Sequence, residues 1–166
     1  MSKRSILAFV VVGLLAASVA SAQVSTSGLS KATSLGKTVY GLGFSGGPAS
    51  GIGLSFRAHM PSKISFQAVL GIIKTQSKLM MSAGAEFQYD LVRGDATRFY
   101  FVGTTGYFYS GDGSNSVSGP FRLGAGIGGE FQVRDALHAS LEGLFVYSSD
   151  GTILPLPQLS IHYYFF

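Results

Sequence analysis

The sequence predicts an all-β chain that closes as an eight-stranded antiparallel up-and-down transmembrane β-barrel, and three observations predict it. The first is the stretch Phe121 to Arg134. In it Phe121, Leu123, Ala125, Ile127, Gly129, Phe131 and Val133 alternate without exception with Arg122, Gly124, Gly126, Gly128, Glu130, Gln132 and Arg134. A period of two held over that length gives a long strand with one apolar and one polar face, whereas a helix would spread both sets around its axis. The second is that further stretches repeat the pattern between breaks rich in Gly, Pro, Ser and Asp. The third is a charged fraction of 12%, against roughly 25–35% for a soluble surface, with no later run long enough for a membrane helix. A chain that enters lipid without helices must close on itself, because only closure pairs every backbone donor and acceptor.

The strands follow in order. Thr38 to Ser45 sets Tyr40, Leu42 and Phe44 against Val39, Gly41 and Gly43, and SGGPAS breaks it. Gly51 to Met60 sets Ile52, Leu54, Phe56 and Ala58 against Ser55, Arg57 and His59, and Pro61 turns the chain. Lys63 to Ile73 faces Ile64, Phe66, Ala68, Leu70 and Ile72 outward and Ser65, Gln67 and Gly71 inward. Lys78 to Leu91 carries Ala83, Ala85, Phe87 and Tyr89 outward, with Ser82, Gly84, Glu86, Gln88 and Asp90 inward. After RGDA, Thr97 to Tyr109 presents Phe99, Phe101, Tyr107 and Tyr109 on one face, and SGDGSNSVSG is the longest loop. Phe121 to Arg134 comes next, then a tight turn at Asp135 and Ala136. Leu137 to Ser148 places Leu141, Phe145 and Tyr147 opposite His138, Ser140 and Glu142. After SDGTILP, Leu156 to Phe166 is the last strand, with Leu159, Ile161, Tyr163 and Phe165 alternating with Gln158, Ser160, His162 and Tyr164.

The N-terminus supplies the address. Lys3 and Arg4 precede an apolar run from Ile6 to Ala17 and the small-residue pattern Ala20-Ser21-Ala22, so residues 1–22 read as a cleaved signal peptide. Residues 23–37, rich in Ser, Thr and Gly, read as a flexible periplasmic segment, and residues 38–166 as the barrel. The chain has no cysteine, which removes lipid attachment at the cleavage site, disulfides and thiolate chemistry. Without the signal, ten basic side chains face eight acidic ones, a balance that calls for no nucleic acid. The turns after the second, fourth and sixth strands are tight, and at least two after odd strands are longer and glycine-rich. Outer-membrane barrels show this asymmetry, with periplasmic turns short, external loops long and both termini periplasmic.

The cleavable signal, eight alternating strands and aromatic C-terminus YYFF resemble the small outer-membrane β-barrel family that includes OmpX and the transmembrane domain of OmpA. The resemblance covers all of residues 38–166 and rests on pattern more than on fixed residues. Phe and Tyr stand where that family uses Trp, which is absent. It implies a cell outer-membrane location in a Gram-negative-type envelope, a monomer embedded in outer-membrane lipid, and periplasmic chaperones and the barrel-assembly machinery as partners in biogenesis. The terminal Phe166 and the nearby Tyr164 would form the assembly signal, although the apolar set ending at Phe165 is offset by one from Phe166. On this resemblance the barrel is expected to stand alone, without the peptidoglycan-binding domain of longer OmpA-like proteins.

Counted up from the periplasmic turns at about 3.3 Å per residue, Arg57, Gln67, Glu86, Glu130 and Glu142 share one level inside the barrel. Three carboxylates there need cations, and Arg57 is the basic residue of the layer, with Lys63, Arg98, Arg122 and Arg134 above or below. The expectation is an ion-pair and hydrogen-bond network filling the lumen, since an eight-stranded barrel is just wide enough for side chains. The lumenal glycines are read as room for the long Arg and Glu side chains.

No catalytic, cofactor or metal set is expected. His138, Ser140 and Glu142 resemble the H-x-S motif of outer-membrane lipid A deacylases, but one strand face spaces them about 7 Å apart, too far for nucleophile–base contact. Asp112 in SGDGSN offers one carboxylate, short of a calcium ligand set. The spaced glycines from Gly124 to Gly129 lie within a strand and open no helix, so they do not form a phosphate loop. The functional expectation is a structural or surface-interaction role. A narrow ion channel or small hydrophobic-solute transporter is the alternative, and a secreted lipocalin-like binder, with the faces reversed, or a lipid A-modifying enzyme a lesser one.

Overall fold

The computed structural model describes residues 38–94 and 96–165, in which the regular elements are all strands. They are β1 (Val39–Gly47), β2 (Gly51–His59), β3 (Ile64–Lys74), β4 (Leu79–Arg93), β5 (Thr97–Gly111), β6 (Phe121–Arg134), β7 (Leu137–Ser148) and β8 (Ile153–Phe165). Each pairs antiparallel with its sequence neighbours, and β8 returns to β1 in a register running from Tyr40↔Phe165 to Gly46↔Leu159. The result is a closed eight-stranded barrel, as the alternation predicts. The predicted signal at 1–22, the lead-in at 23–37 and Phe166 lie outside the described residues.

Alternation places the side chains. Along β3, Ser65, Gln67 and Val69 are buried while Phe66, Leu70 and Ile72 are exposed. The same inversion runs around the barrel: Phe44, Ile127, Phe145 and Leu159 are each at least 60% exposed, whereas Arg57 and Arg98 are fully buried.

Three local features depart from the sequence reading. The last strand starts at Ile153 rather than Leu156. Pro155, the last residue of SDGTILP, is read there as part of the break, yet it pairs with Phe145 of β7, as Pro157 within the predicted strand pairs with Gly143. They fit because β1 ends opposite Leu159, leaving this part of β8 with a neighbour on one side only, where a missing backbone donor is tolerated. Second, register shifts at Leu91 in β4 and Val133 in β6 end the simple alternation near the terminal end of the barrel. Arg134, beyond the second shift, is exposed, as is Lys63, so neither serves the interior charges.

Third, the β1–β2 connection Pro48–Ser50 turns into the barrel. Ala49 and Ser50 are fully buried, and Ala49 sits among Tyr100, Val102, Leu144 and Val146, with Leu156 against them. The lumenal glycines explain how it fits: a Cβ on Gly84 would lie 2.0 Å from the Ser50 carbonyl oxygen, and one on Gly106 2.2 Å from that of Ala49. Gly128 does make room for long side chains, Tyr100 and Glu142, but Gly84, Gly106 and Gly124 make room for backbone and Ala49. Both the reading of SGGPAS as a plain turn and the reading of all these glycines as space for Arg and Glu are corrected by that geometry.

Candidate functional site

The interior opposite Ala49, toward the end holding Val39 and Phe165, is a continuous polar network. Its centre is Glu130, 1% exposed. Oε2 accepts from Arg57 Nη1 at 2.5 Å and from Arg98 Nε and Nη2 at 3.0 and 2.8 Å. Oε1 accepts from the Tyr164 hydroxyl at 2.9 Å, with His138 Nδ1 3.3 Å away. Arg98 also reaches Asp90 Oδ1 at 2.7 Å, and its guanidinium lies 4.3 Å over the Tyr100 ring. Arg93 pairs with the other Asp90 oxygen. Two guanidiniums converging on one carboxylate offset the desolvation that a lone buried charge would suffer, and the charged hydrogen bonds satisfy its remaining lone pairs.

The Tyr164 hydroxyl donates to Glu130, and its oxygen lies 2.5 Å from His59 Nε2, while His59 Nδ1 lies 2.7 Å from Ser65 Oγ. Ser55 Oγ lies 2.8 Å from Nε2 of the third buried histidine, His162.

Glu86 and Glu142 form a second tier, and no cation is within ion-pair distance of either among the described residues. Glutamines take that place. Gln67 Oε1 accepts from Arg57 Nε at 2.7 Å while its Nε2 donates to Glu86 at 3.2 Å. Gln88 Oε1 accepts from Arg98 Nη2 at 2.6 Å while its Nε2 donates to Glu86 at 3.1 Å and to Glu142 at 3.4 Å. Each amide is thus oriented by an arginine and passes a polarised donor on to a carboxylate, which couples the bonds in series. Gln158 Nε2 donates to Glu86 and, at 2.9 Å, to Glu142, whose other oxygen accepts from the Tyr100 hydroxyl at 2.7 Å. Gln158 Oε1 faces the inturned loop, accepting from Ser50 Oγ at 2.9 Å.

The network brings together Arg57, Gln67, Glu86, Glu130, Glu142 and Arg98, the six residues that the sequence reading assigns to the lumenal network, and only the height of Arg98 differs from the count. Arg98 lies within the layer, directly across the β5–β6 ladder from Glu130. Counting residues from each turn misses this because closure staggers neighbouring strands, so equal counts are not equal heights. Tyr164, expected in the assembly signal, points inward and is 2% exposed. The sequence reading also leaves Gln88, Gln158, Tyr100, Asp90, His59 and His138 out of the network, although all lie at inward positions of the alternation. Ser140 has Ser160 Oγ at 2.5 Å and Arg57 Nη2 at 3.4 Å as partners, while His138 faces Glu130, so the H-x-S residues do not contact one another. No three His, Asp or Glu side chains among the described residues converge as a metal site.

No family model matches the chain, and no curated protein does.

Proposed function

We propose that this chain is an outer-membrane β-barrel of a Gram-negative-type envelope, similar to OmpX and the barrel of OmpA, with a structural or surface-interaction role and a lumen closed by its own side chains. The observation that carries the reading is the inverted polarity: Phe145 is 67% exposed while Arg57, Arg98 and Glu130 are at most 1% exposed. The largest apolar patch on a soluble monomer covers about 300–600 Å², whereas here the outward residues of every strand form a belt of Leu, Ile, Phe, Tyr and Met. In lipid that belt is the favoured surface, and the pairing of β8 with β1 closes the sheet on itself. A lipocalin-like binder needs the opposite arrangement, apolar inside and polar outside.

Outer-membrane lipid is the medium, chaperones and the barrel-assembly machinery the biogenesis partners, and a monomer the expected state. A narrow ion path is the second reading, favoured by Glu86 and Glu142, which hold carboxylates inside the barrel with amide and phenol donors rather than cations. The test is electrophoresis of protein from washed outer membranes, with and without boiling. A folded membrane barrel resists cold SDS and shifts on heating; recovery in the soluble periplasm with no shift would overturn the proposal.

A further inference from the structure

The inturned Pro48–Ser50 segment has the features of a separate moving part. Its burial is complete at Ala49 and Ser50, yet among the described residues none of its three makes a backbone–backbone hydrogen bond of its own. Side chains hold it: Ser50 Oγ and N donate to Gln158 Oε1 at 2.9 and 3.4 Å, and Arg122 Nη1 donates to the Pro48 carbonyl at 2.8 Å. Glycines flank it. Gly46 and Gly47 precede it and Gly51 follows with φ of +116°, a left-handed conformation that gives glycine a cheap pivot. On the other side of it lie Val102, Leu144, Val146 and Leu156, an apolar collar around Ala49. Beneath it Gln158 spans from Ser50 to both Glu86 and Glu142.

We infer that Pro48–Ser50 is a hinged plug, closed in this structure, that lifts to open the end of the lumen remote from the chain termini. When it is down, Ala49 seats in the collar and seals the carboxylate tier from water, a dry constriction of the kind that gates by dewetting. When it lifts, the collar and Gln158 face solvent. Gly106 makes this separable from folding: the nearest atom to a Cβ there is the Ala49 carbonyl oxygen, with the Ala49 carbonyl carbon at 3.2 Å and one edge atom of Phe108 at 3.4 Å. An added methyl therefore evicts the plug and leaves the β5 ladder room. Gly103, on the outer face of the same strand, has none of the described residues within 4 Å of an added Cβ and serves as control.

The test is thiol labelling, free of background because the chain has no cysteine. Ala49→Cys is made in the native, Gly103→Ala and Gly106→Ala backgrounds and exposed to a charged, water-soluble maleimide, with Gly113→Cys in the exposed β5–β6 loop as the fully accessible reference. Near-ultraviolet circular dichroism confirms that each variant is folded, so the result does not depend on whether the barrel sits in lipid. Labelling of the Ala49→Cys thiol is expected to be slow in the native and Gly103→Ala backgrounds and to approach the reference rate in Gly106→Ala. Ser50→Ala, which removes one latch donor and adds no atom, is expected to speed labelling about fivefold, the effect of one hydrogen bond on the open population. Labelling at the reference rate in the native background would overturn the seal, and equal protection in Gly106→Ala, Ser50→Ala and native backgrounds would overturn the hinge.

Discussion

Arg98 stands directly opposite Glu130 across the β5–β6 ladder and contacts its Oε2 through Nε at 3.0 Å and Nη2 at 2.8 Å, while Arg57 reaches the same oxygen from β2 at 2.5 Å. One carboxylate thus ties three strands of the barrel together through its centre.

Arg98→Ala would leave Asp90 with Arg93 alone and remove half the positive charge from Glu130. Breaking a buried pair by deleting one partner costs about 3–5 kcal/mol. Arg134→Ala, at a side chain 86% exposed and 4.0 Å from Asp135, should cost less than about 0.5 kcal/mol. Urea unfolding in detergent checks both, and equal effects would remove the network from its central place in stability.

The outward face should reject charge. Ala85→Arg or Ile127→Arg places a cation in the proposed lipid belt at a cost of about 2–4 kcal/mol, whereas Ser82→Thr inside keeps the hydroxyl that bonds Ile52 N at 2.9 Å. The folded fraction in vesicles should fall sharply for both arginine variants and little for Ser82→Thr.

Inward and outward glycines should respond in opposite directions. A Cβ on Gly126 would lie 2.0 Å from the Gly143 carbonyl oxygen, so Gly126→Ala should destabilise by about 1–3 kcal/mol. Gly143 has none of the described residues within 4 Å of an added Cβ, and Gly143→Ala should stabilise by about 0.5–1 kcal/mol, by lowering the entropy lost on ordering the strand. Denaturant midpoints of the two variants decide the point.

Asp150, in the β7–β8 connection, accepts from the Thr152 N–H at 3.0 Å and from Ser118 Oγ at 2.9 Å. The bonds from Thr152 chiefly, then from Ser118, hold its pKa below the ordinary 3.8. A depressed folded pKa means the tether between the two loops is complete above 3.8 and is lost as pH falls through the lower folded value. The Thr152 amide resonance should therefore titrate with a midpoint below 3.8, and Ser118→Ala should raise that midpoint.

How far the sequence leads depends on what each signal measures. Alternation reports which face a side chain takes, so β6 and β7 are legible to the residue, and so are the inward positions of Arg57, Gln67, Glu86, Glu130 and Glu142. It does not report height, because strand stagger is a property of the closed sheet; counting therefore puts Arg98 outside the layer it belongs to. Proline reads as a break because it lacks a donor, yet Pro155 lies where β8 needs none. The Pro48–Ser50 plug has a signal in hindsight: inward Gly84, Gly106 and Gly124 on three successive strands leave a space larger than arginine and glutamate need. Nothing local in SGGPAS says that the loop fills it.

The measurement that tests the central claim most directly uses the absence of tryptophan. A single Phe145→Trp on the outer face is refolded into vesicles whose acyl chains carry bromine. The account predicts strong quenching of its fluorescence relative to unbrominated vesicles. Folded protein whose Trp fluorescence is the same in both would put that face in water and contradict the membrane-spanning barrel.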